Sequence, residues 1–233
     1  EWTDVARTVR EQALREIELD QLDENGLAVA RRITDLADAI VTSAYEQSKR
    51  SNEPKPHALV ALGGFGRREM APYSDIDLLF LFQKERDKSP EFISGVLHPL
   101  WDLGFDVGHS SRTIAEVVKM AREDVESCTA MMDGRLLAGD SELFAEYVQR
   151  LFSRLPKSVP TQINKWRQAR IDNKDSVQLL EPNIKESPGG LRDIQALEWA
   201  MKSQEQQADA TSLWSHYLES GDCLLYTSDA ADE

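Results

Sequence analysis

The stretch from His57 to Phe82, HALVALGGFGRREMAPYSDIDLLFLF, constrains the fold of this chain more than any other. It holds two apolar runs of strand length, separated by a double glycine, a basic loop and Ser74-Asp75-Ile76-Asp77. The run from Asp77 to Phe82 is almost continuously apolar, the pattern of a strand buried on both faces. Residues two apart in a strand share a face, so Asp75 and Asp77 project side by side while Ile76 and Leu78 turn away. Two ionised carboxylates that close repel one another. A divalent cation between them relieves the repulsion, and magnesium favours hard oxygen ligands, commonly one or two carboxylates completed by phosphates.

The double glycine supplies the complement. Gly63 and Gly64 let backbone N–H groups approach a phosphate closely. Arg67 and Arg68 add local positive charge, and Ser74 offers a hydroxyl to a phosphate oxygen. A third acid completes such a site, and Asp106 in GFDVGHS, on a short apolar run edged by glycines, is the candidate. Phosphoryl-group transfer often uses two metal ions, one on the attacking oxygen and one on the leaving oxygens. Two other phosphate loops fit poorly. Gly66-Arg67-Arg68-Glu69 lacks the Gly-Lys-Ser/Thr ending of a Walker A loop. Glu69 stands where a dinucleotide fingerprint requires its third glycine, and Asp75 precedes the strand that it should follow. The plain alternative is a glycine turn with an Asp-capped loop and no catalysis.

Along the rest of the chain, residues 1–50 read as helix, with Val5, Val9, Leu14, Ile17 and Leu22, then Leu27, Ile33, Leu36 and Ile40, at near-helical spacing. Residues 51–56 carry two prolines and act as a connector. Strands are expected at 58–62, 77–82 and 104–108, with a helix over 90–103. Residues 113–155 read as helical with interruptions at Gly134 and Gly139, residues 161–179 as a polar helix, and a further helix starts after Gly189-Gly190. Those two glycines would present N–H groups at a helix N-terminus, a natural anion site. Arg192 in the first turn is unfavourable with the helix dipole and calls for a partner such as Asp193, Asp172 or a phosphate. His109 and the tryptophans Trp101, Trp166, Trp199 and Trp214 read as structural.

A formal net charge of −14 argues against a protein that lives on a nucleic-acid backbone. No apolar run approaches the roughly 18 residues of a membrane span, and no signal peptide opens the chain. Cys128 and Cys223 are widely spaced and outside any CxxC spacing, which fits a reducing, cytoplasmic compartment and argues against structural zinc. The chain begins without methionine, as a fragment does. Its closing CLLYTSDAADE breaks the helical pattern and resembles translated adapter read-through, so the native sequence is expected to stop near Gly221.

GGFGRREMAPYSDIDLLFLF resembles the signature of the nucleotidyltransferase family typified by DNA polymerase β, in which a glycine turn precedes Asp-x-Asp. More closely, the chain resembles the bacterial PII uridylyltransferases of nitrogen control, on three further stretches: LWDLGFDVGHSSRT, DGRLLAGDSELF and EPNIKESPGGLRDIQALEW. The resemblance covers most of residues 57–200. It implies an α+β fold: a small mixed β-sheet nucleotidyltransferase core over 57–112, an N-terminal helical segment over 1–56, a helical domain over 113–220, and a non-native tail over 221–233. It also implies that Asp75, Asp77 and Asp106 bind Mg2+, that Gly63, Gly64, Arg67 and Ser74 contact the triphosphate of UTP, and that Lys185 and Arg192 lie beside the nucleotide. The implied reaction transfers UMP to a tyrosine hydroxyl of the PII protein and releases pyrophosphate, with no role for nucleic acid or membrane.

The alternatives are another transfer within the superfamily, such as protein adenylylation, or a non-catalytic nucleotide-sensing module. The family's complete enzyme continues into a His-Asp hydrolase domain and two ligand-sensing domains. The four histidines of this chain, His57, His98, His109 and His216, include no His-Asp pair. Transfer without removal, and without glutamine sensing, is the expectation; an assay for UMP release from uridylylated PII measures it, and appreciable hydrolysis contradicts it.

Overall fold

The computed structural model describes residues 26–51, 56–172 and 183–205, with scattered positions from 4 to 15. The expected apolar positions Val5, Val9, Leu14, Ile17 and Leu22, most of the 51–56 connector, residues 173–179 of the expected polar helix, Trp214, Cys223 and the expected tail over 221–233 lie outside the described residues. The chain divides into two compact units, Glu1–Leu151 and Phe152–Glu233.

The first unit is built on four strands, β1 (His57–Ala61), β2 (Ile76–Phe82), β3 (Val107–Thr113) and β4 (Arg135–Gly139), in the order β3-β2-β1-β4. β1 runs antiparallel to β2 and to β4, while β2 and β3 are parallel. The sheet is therefore mixed, as expected of the core. Every residue of β1 is buried, and β2 is buried at all positions but Asp77. This explains the uninterrupted apolar runs: both faces are covered. One face, with Leu59, Ala61, Ile76, Leu78, Phe80 and Phe82, packs into a cluster with α1 (Gly26–Ser51) and α3 (Pro90–Asp102). Full burial of each of the Leu, Ile and Phe side chains among them contributes about 1.5–3 kcal/mol. Tyr45, His57 and Phe92 meet within that cluster, His57 and Phe92 edge-to-face at 4.6 Å. Ala58, Val60, Leu79 and Leu81 point to the other face and are equally buried.

α1 is long because its buried positions, Thr34, Ala37, Ile40, Val41, Ala44, Tyr45 and Ser48, recur at three and four residues along one stripe. Ser89 caps α3, accepting the Phe92 N–H, with Pro90 in the first turn. α2 (Gly63–Arg67) is the short helical turn made by the double glycine.

The fourth strand corrects the sequence reading, which placed 113–155 in helix with two interruptions. The segment divides into α4 (Ile114–Glu123), α5 (Val125–Met132), β4 and α6 (Ser141–Arg154). Thr113 and Glu116 form a capping box that starts α4, and Asp124 caps α5. The two glycine interruptions are the ends of a five-residue strand. The third strand is also displaced: it was expected at 104–108 and runs from Val107 to Thr113, drawn out by its ladder with β2 from Ile76↔Val107 to Phe82↔Thr113.

In the second unit α7 (Val159–Asp172) and α8 (Leu191–Glu205) pack together, with Val159, Ile163, Ala196 and Trp199 buried. Trp166 and Trp199 lie 6.2 Å apart between ring centres, packing residues as expected.

The tightest backbone approach in the first unit is at Gly66. A Cβ there would lie 2.2 Å from the Asp133 carbonyl oxygen and 2.9 Å from that of Ala61. At Gly64 the nearest atoms are at 3.7 and 3.8 Å, ordinary contact. Gly66→Ala is therefore expected to destabilise by about 1–3 kcal/mol through forced backbone movement, and Gly64→Ala to stay within about 0.5 kcal/mol of the parent; urea unfolding of both variants measures the difference.

Candidate functional site

The site forms where β1 hands over to α2 and where β2 and β3 begin. The Leu62 N–H donates to the Asp77 carbonyl at 2.9 Å, which holds the glycine turn against the mouth of β2. Gly63 has φ +55°, the left-handed region, and an added Cβ there would lie 3.5 Å from Asp77 Oδ2. On the other side Gly108 pairs with Asp77 across the parallel ladder, and a Cβ at Gly108 would lie 2.4 Å from Asp77 Oδ1. The Asp77 carboxylate thus sits between two glycines, and it is the exposed residue of an otherwise buried strand.

Asp106 comes to the same place. The Ile76 N–H donates to the Asp106 carbonyl at 2.8 Å, so Asp106 lies just before β3 as Asp75 lies just before β2. Asp77 and Gly108 are register partners, Asp75 and Asp106 stand two residues before each of them, just outside the ladder, and all three acids are exposed. Among the described residues, no three His, Cys, Asp or Glu side chains are gathered closely enough to enclose a metal ion by themselves. The candidate donors are nonetheless hard carboxylate oxygens on exposed residues. They suit an ion that takes one or two carboxylates and completes its shell with phosphate and water.

Ser74 closes the loop before β2. Its hydroxyl oxygen accepts the Ala71 N–H at 3.0 Å, and its own N–H donates to the Ala71 carbonyl at 3.1 Å. The structure places Arg67 less openly than a phosphate contact requires. Its guanidinium is mostly buried, donating to Glu69 Oε2 at 2.8 Å and to the buried carboxylate of Asp133. Burial disfavours the Arg67 cation, but the Asp133 charge and the hydrogen bonds to Glu69 and Asp133 outweigh that and hold its pKa above the ordinary arginine value. Arg68, at the left-handed C-cap of α2, pairs with Asp35, and both side chains are exposed. His109 pairs with Leu78 in the ladder, so it stands on the face opposite the acids, against the Trp101 ring at 6.0 Å.

Lys185 and Arg192 belong to the second unit. Lys185 is exposed. Arg192 finds its partners in Glu186 at 3.4 Å, in Gln195 Oε1 at 2.9 Å and over the Trp199 ring at 5.6 Å, in place of the expected Asp193, Asp172 or phosphate. Asp193 pairs instead with Arg167 at 3.0 Å, and that pair together with the Gly189 N–H holds its carboxyl below the usual range against the effect of burial. The expected anion site at Gly189-Gly190 is corrected as well. The Gly189 N–H donates to Asp193 Oδ2 and the Gly190 N–H to the Ser187 carbonyl, each at 2.9 Å. Both donors are already satisfied within the segment.

Gly108, Asp133 and Arg135 are the residues that the sequence reading passed over. Gly108 carried a signal, being one of the glycines that edge Asp106. Asp133 and Arg135 carried one only as part of a stretch read as helix.

A nucleotidyltransferase family model (DUF294) matches residues 17–115, and the GlnD PII-uridylyltransferase model matches residues 157–224. The bifunctional uridylyltransferase/uridylyl-removing enzyme of Phenylobacterium zucineum is 36% identical over 187 residues, 75% of this chain and 20% of that protein. Its counterpart in Hydrogenovibrio crunogenus is 37% identical over 191 residues, 78% of the chain and 21% of that protein. The counterpart in Nitrosospira multiformis is 36% identical over 209 residues, 85% of the chain and 23% of that protein. The chain belongs to the PII-uridylyltransferase family. It spans about a fifth of the length of these relatives and matches their nucleotidyltransferase region. An enzyme of the nucleotidyltransferase type is what both family models support.

The position most sensitive to a small change is Gly108. In Gly108→Ala the new methyl group displaces the Asp77 carboxylate, the mobile end of a side chain, and not the backbone. Stability is expected to stay within about 0.5 kcal/mol of the parent, while nucleotidyl transfer falls about 100-fold through misplacement of the carboxylate; thermal unfolding and a steady-state assay on one preparation separate the two effects.

Proposed function

We propose that this chain carries the transferase step of a uridylyltransferase: it moves UMP from UTP to a tyrosine hydroxyl of the PII signalling protein and releases pyrophosphate. The observation that carries the reading is the exposed Asp77 carboxylate, held between Gly63 and Gly108, with Asp75 and Asp106 exposed just before β2 and β3. In this reading Asp75, Asp77 and Asp106 are the catalytic acids and hold Mg2+. Gly63 and Gly64 lay backbone N–H groups along the triphosphate, and the Ser74 hydroxyl donates to a phosphate oxygen. Bound magnesium would supply charge neutralisation of the leaving pyrophosphate and activation of the attacking oxygen.

The tyrosine oxygen forms a bond to the α-phosphorus as its phenolic proton is lost. The bond from that phosphorus to the α–β bridging oxygen breaks, and pyrophosphate departs with the electron pair. The three carboxylates fix where the reacting groups meet; the glycine turn keeps the triphosphate extended, in line with the attack. Arg67 acts in this reading through the loop that it braces; within the second unit Lys185 is an exposed cation and Arg192 pairs with Glu186. The relatives are named uridylyltransferases, which supports uridine as the base. The reading implies a cytoplasmic protein; among the described residues no helix is long and apolar enough to cross a membrane.

The test pairs the chain with PII and each labelled nucleoside triphosphate. Label from UTP is expected on a tyrosine of PII, with Asp77→Asn reducing the rate about 10²–10³-fold, the range for losing one preorganised electrostatic group at a reacting centre. Transfer from ATP and not UTP identifies an adenylyltransferase. UTP binding without any product identifies a nucleotide sensor.

A further inference from the structure

Asp133, Gly134 and Arg135 lie outside the acids and the glycine turn, yet they underpin the turn directly. Arg135 opens β4, which pairs with β1 at Ala61, the last residue before the turn. Its Nε donates to the Gly66 carbonyl and one Nη to the Phe65 carbonyl, both at 3.1 Å. The same guanidinium grips Asp38 of α1 with two parallel bonds, at 2.8 and 2.9 Å. The Phe65 ring lies 5.5 Å from its centre. Beside it the Asp133 carboxylate takes the Arg67 guanidinium, and the Asp133 carbonyl fills the space that a side chain at Gly66 would need.

A five-residue helix cannot satisfy its own last carbonyls. In α2 the Gly64 carbonyl accepts from the Glu69 N–H at 3.0 Å, and the Phe65 carbonyl from the Arg68 N–H at 3.3 Å. The Gly66 carbonyl is taken by Arg135. The turn has no side chain at Gly63, Gly64 or Gly66 with which to hold itself, so its position must come from outside. We infer that Arg135 is the positioning residue of the glycine turn, and that its clamp between Asp38 and the carbonyls of Phe65 and Gly66 sets where the Gly63 and Gly64 N–H groups stand relative to Asp77. Only a guanidinium provides two parallel bonds to a carboxylate and two more to backbone oxygens from one rigid plane; an ammonium is a point donor. The clamp holds α1, the turn and β4 in one fixed relation, and the turn is set by the sheet on one side and by α1 on the other.

The inference rests on the transfer reading for its catalytic consequence but not for its structural one, and the experiment reads both. Hydrogen exchange by NMR is measured on the full chain for the Gly66, Arg68 and Glu69 amides, which bond within the turn, and for the Leu79 and Leu81 amides of β2 as the reference. Kinetics with UTP are measured on the same samples below the melting temperature. Arg135→Ala is expected to speed exchange in the turn at least tenfold with β2 unchanged, and to raise KM for UTP with an overall loss in kcat/KM of about 10–100-fold. Asp38→Ala, which removes the far anchor and leaves Arg135 in place, is expected to act in the same direction more weakly. Arg135→Lys is expected to recover stability more fully than KM. A merely structural role lowers the folded fraction, which reduces kcat and leaves KM unchanged. That result, or turn exchange equal to the parent in Arg135→Ala, overturns the inference. If the parent chain neither binds UTP nor transfers from it, the transfer reading fails, and the exchange comparison still decides whether Arg135 holds the turn.

Discussion

β2 is buried along its length except at one carboxylate, and the architecture around the site follows from keeping that exception tolerable. An ionised Asp without partners costs several kcal/mol if it is drawn into an apolar interior. Asp77 is flanked in sequence by Ile76 and Leu78, both fully buried. It escapes desolvation because its neighbours on either side, Gly63 and Gly108, have no side chains to close over it. The parallel ladder to β3 fixes Gly108 opposite Asp77 by register, and the Leu62 N–H bond to the Asp77 carbonyl holds the Gly63 turn on the other side. A mixed sheet of this kind gives a solvated acid on a rigid strand, which is the condition for holding a cation at a defined place.

The distribution of positive charge around that opening narrows how an anionic ligand can be met. Arg67 is engaged with Asp133 and Glu69, and its side chain is 10% exposed. Arg135 is engaged with Asp38 and two carbonyls. Releasing Arg67 would break its pair with the Asp133 carboxylate, which is fully buried at its side chain, and breaking a buried pair costs about 3–5 kcal/mol. Arg68 differs. Its pair with Asp35 is exposed on both sides, at 44% and 58%, and an exposed pair is worth only about 0–1 kcal/mol. Of the two adjacent arginines, the one expected at the nucleotide is committed to structure, and its neighbour is the one free to move. In the proposed reading, backbone N–H groups and Arg68 do not balance a triphosphate, which bears several negative charges, and the remaining positive charge would come from the ion that the three acids hold.

The sequence announced the parts of this that depend on local chemistry. Continuous apolarity marked β1 and β2, a glycine pair marked the turn, and the period of two put Asp75 and Asp77 on one face. Asp106 was legible as an acid in a glycine-edged run. β4 was not legible: Arg135 to Gly139 are five residues between two helical stretches, partly exposed at an edge, and only pairing with β1 makes them a strand. β3 was misplaced for a related reason. Val107 to Thr113 alternate little in hydrophobicity, and the parallel ladder with β2 sets their conformation. The Arg135 clamp was beyond sequence reasoning, because it joins α1, the turn and β4 across separations of 97 and 69 residues. Such contacts carry no local pattern.

The segment before α8 shows the same limit at closer range, and it changes which residue there is worth attention. A double glycine before a helix looks identical in sequence whether its N–H groups are offered to a ligand or consumed internally. Here Asn183 accepts from the Lys185 and Glu186 N–H groups, the Ile184 and Lys185 carbonyls accept from Leu191 and Arg192, and Asp193 and Ser187 take the two glycines. A Cβ at Gly190 would lie 2.5 Å from the Ile184 carbonyl, so that glycine is needed for the backbone to fold onto itself. The result is a closed knot of backbone, with Arg192 and Arg170 both turned inward on Glu186. The Lys185 side chain is exposed and makes no ion pair among the described residues. Of the two cations expected beside the nucleotide, Arg192 maintains the knot, and Lys185 is the one that the knot holds out to solvent.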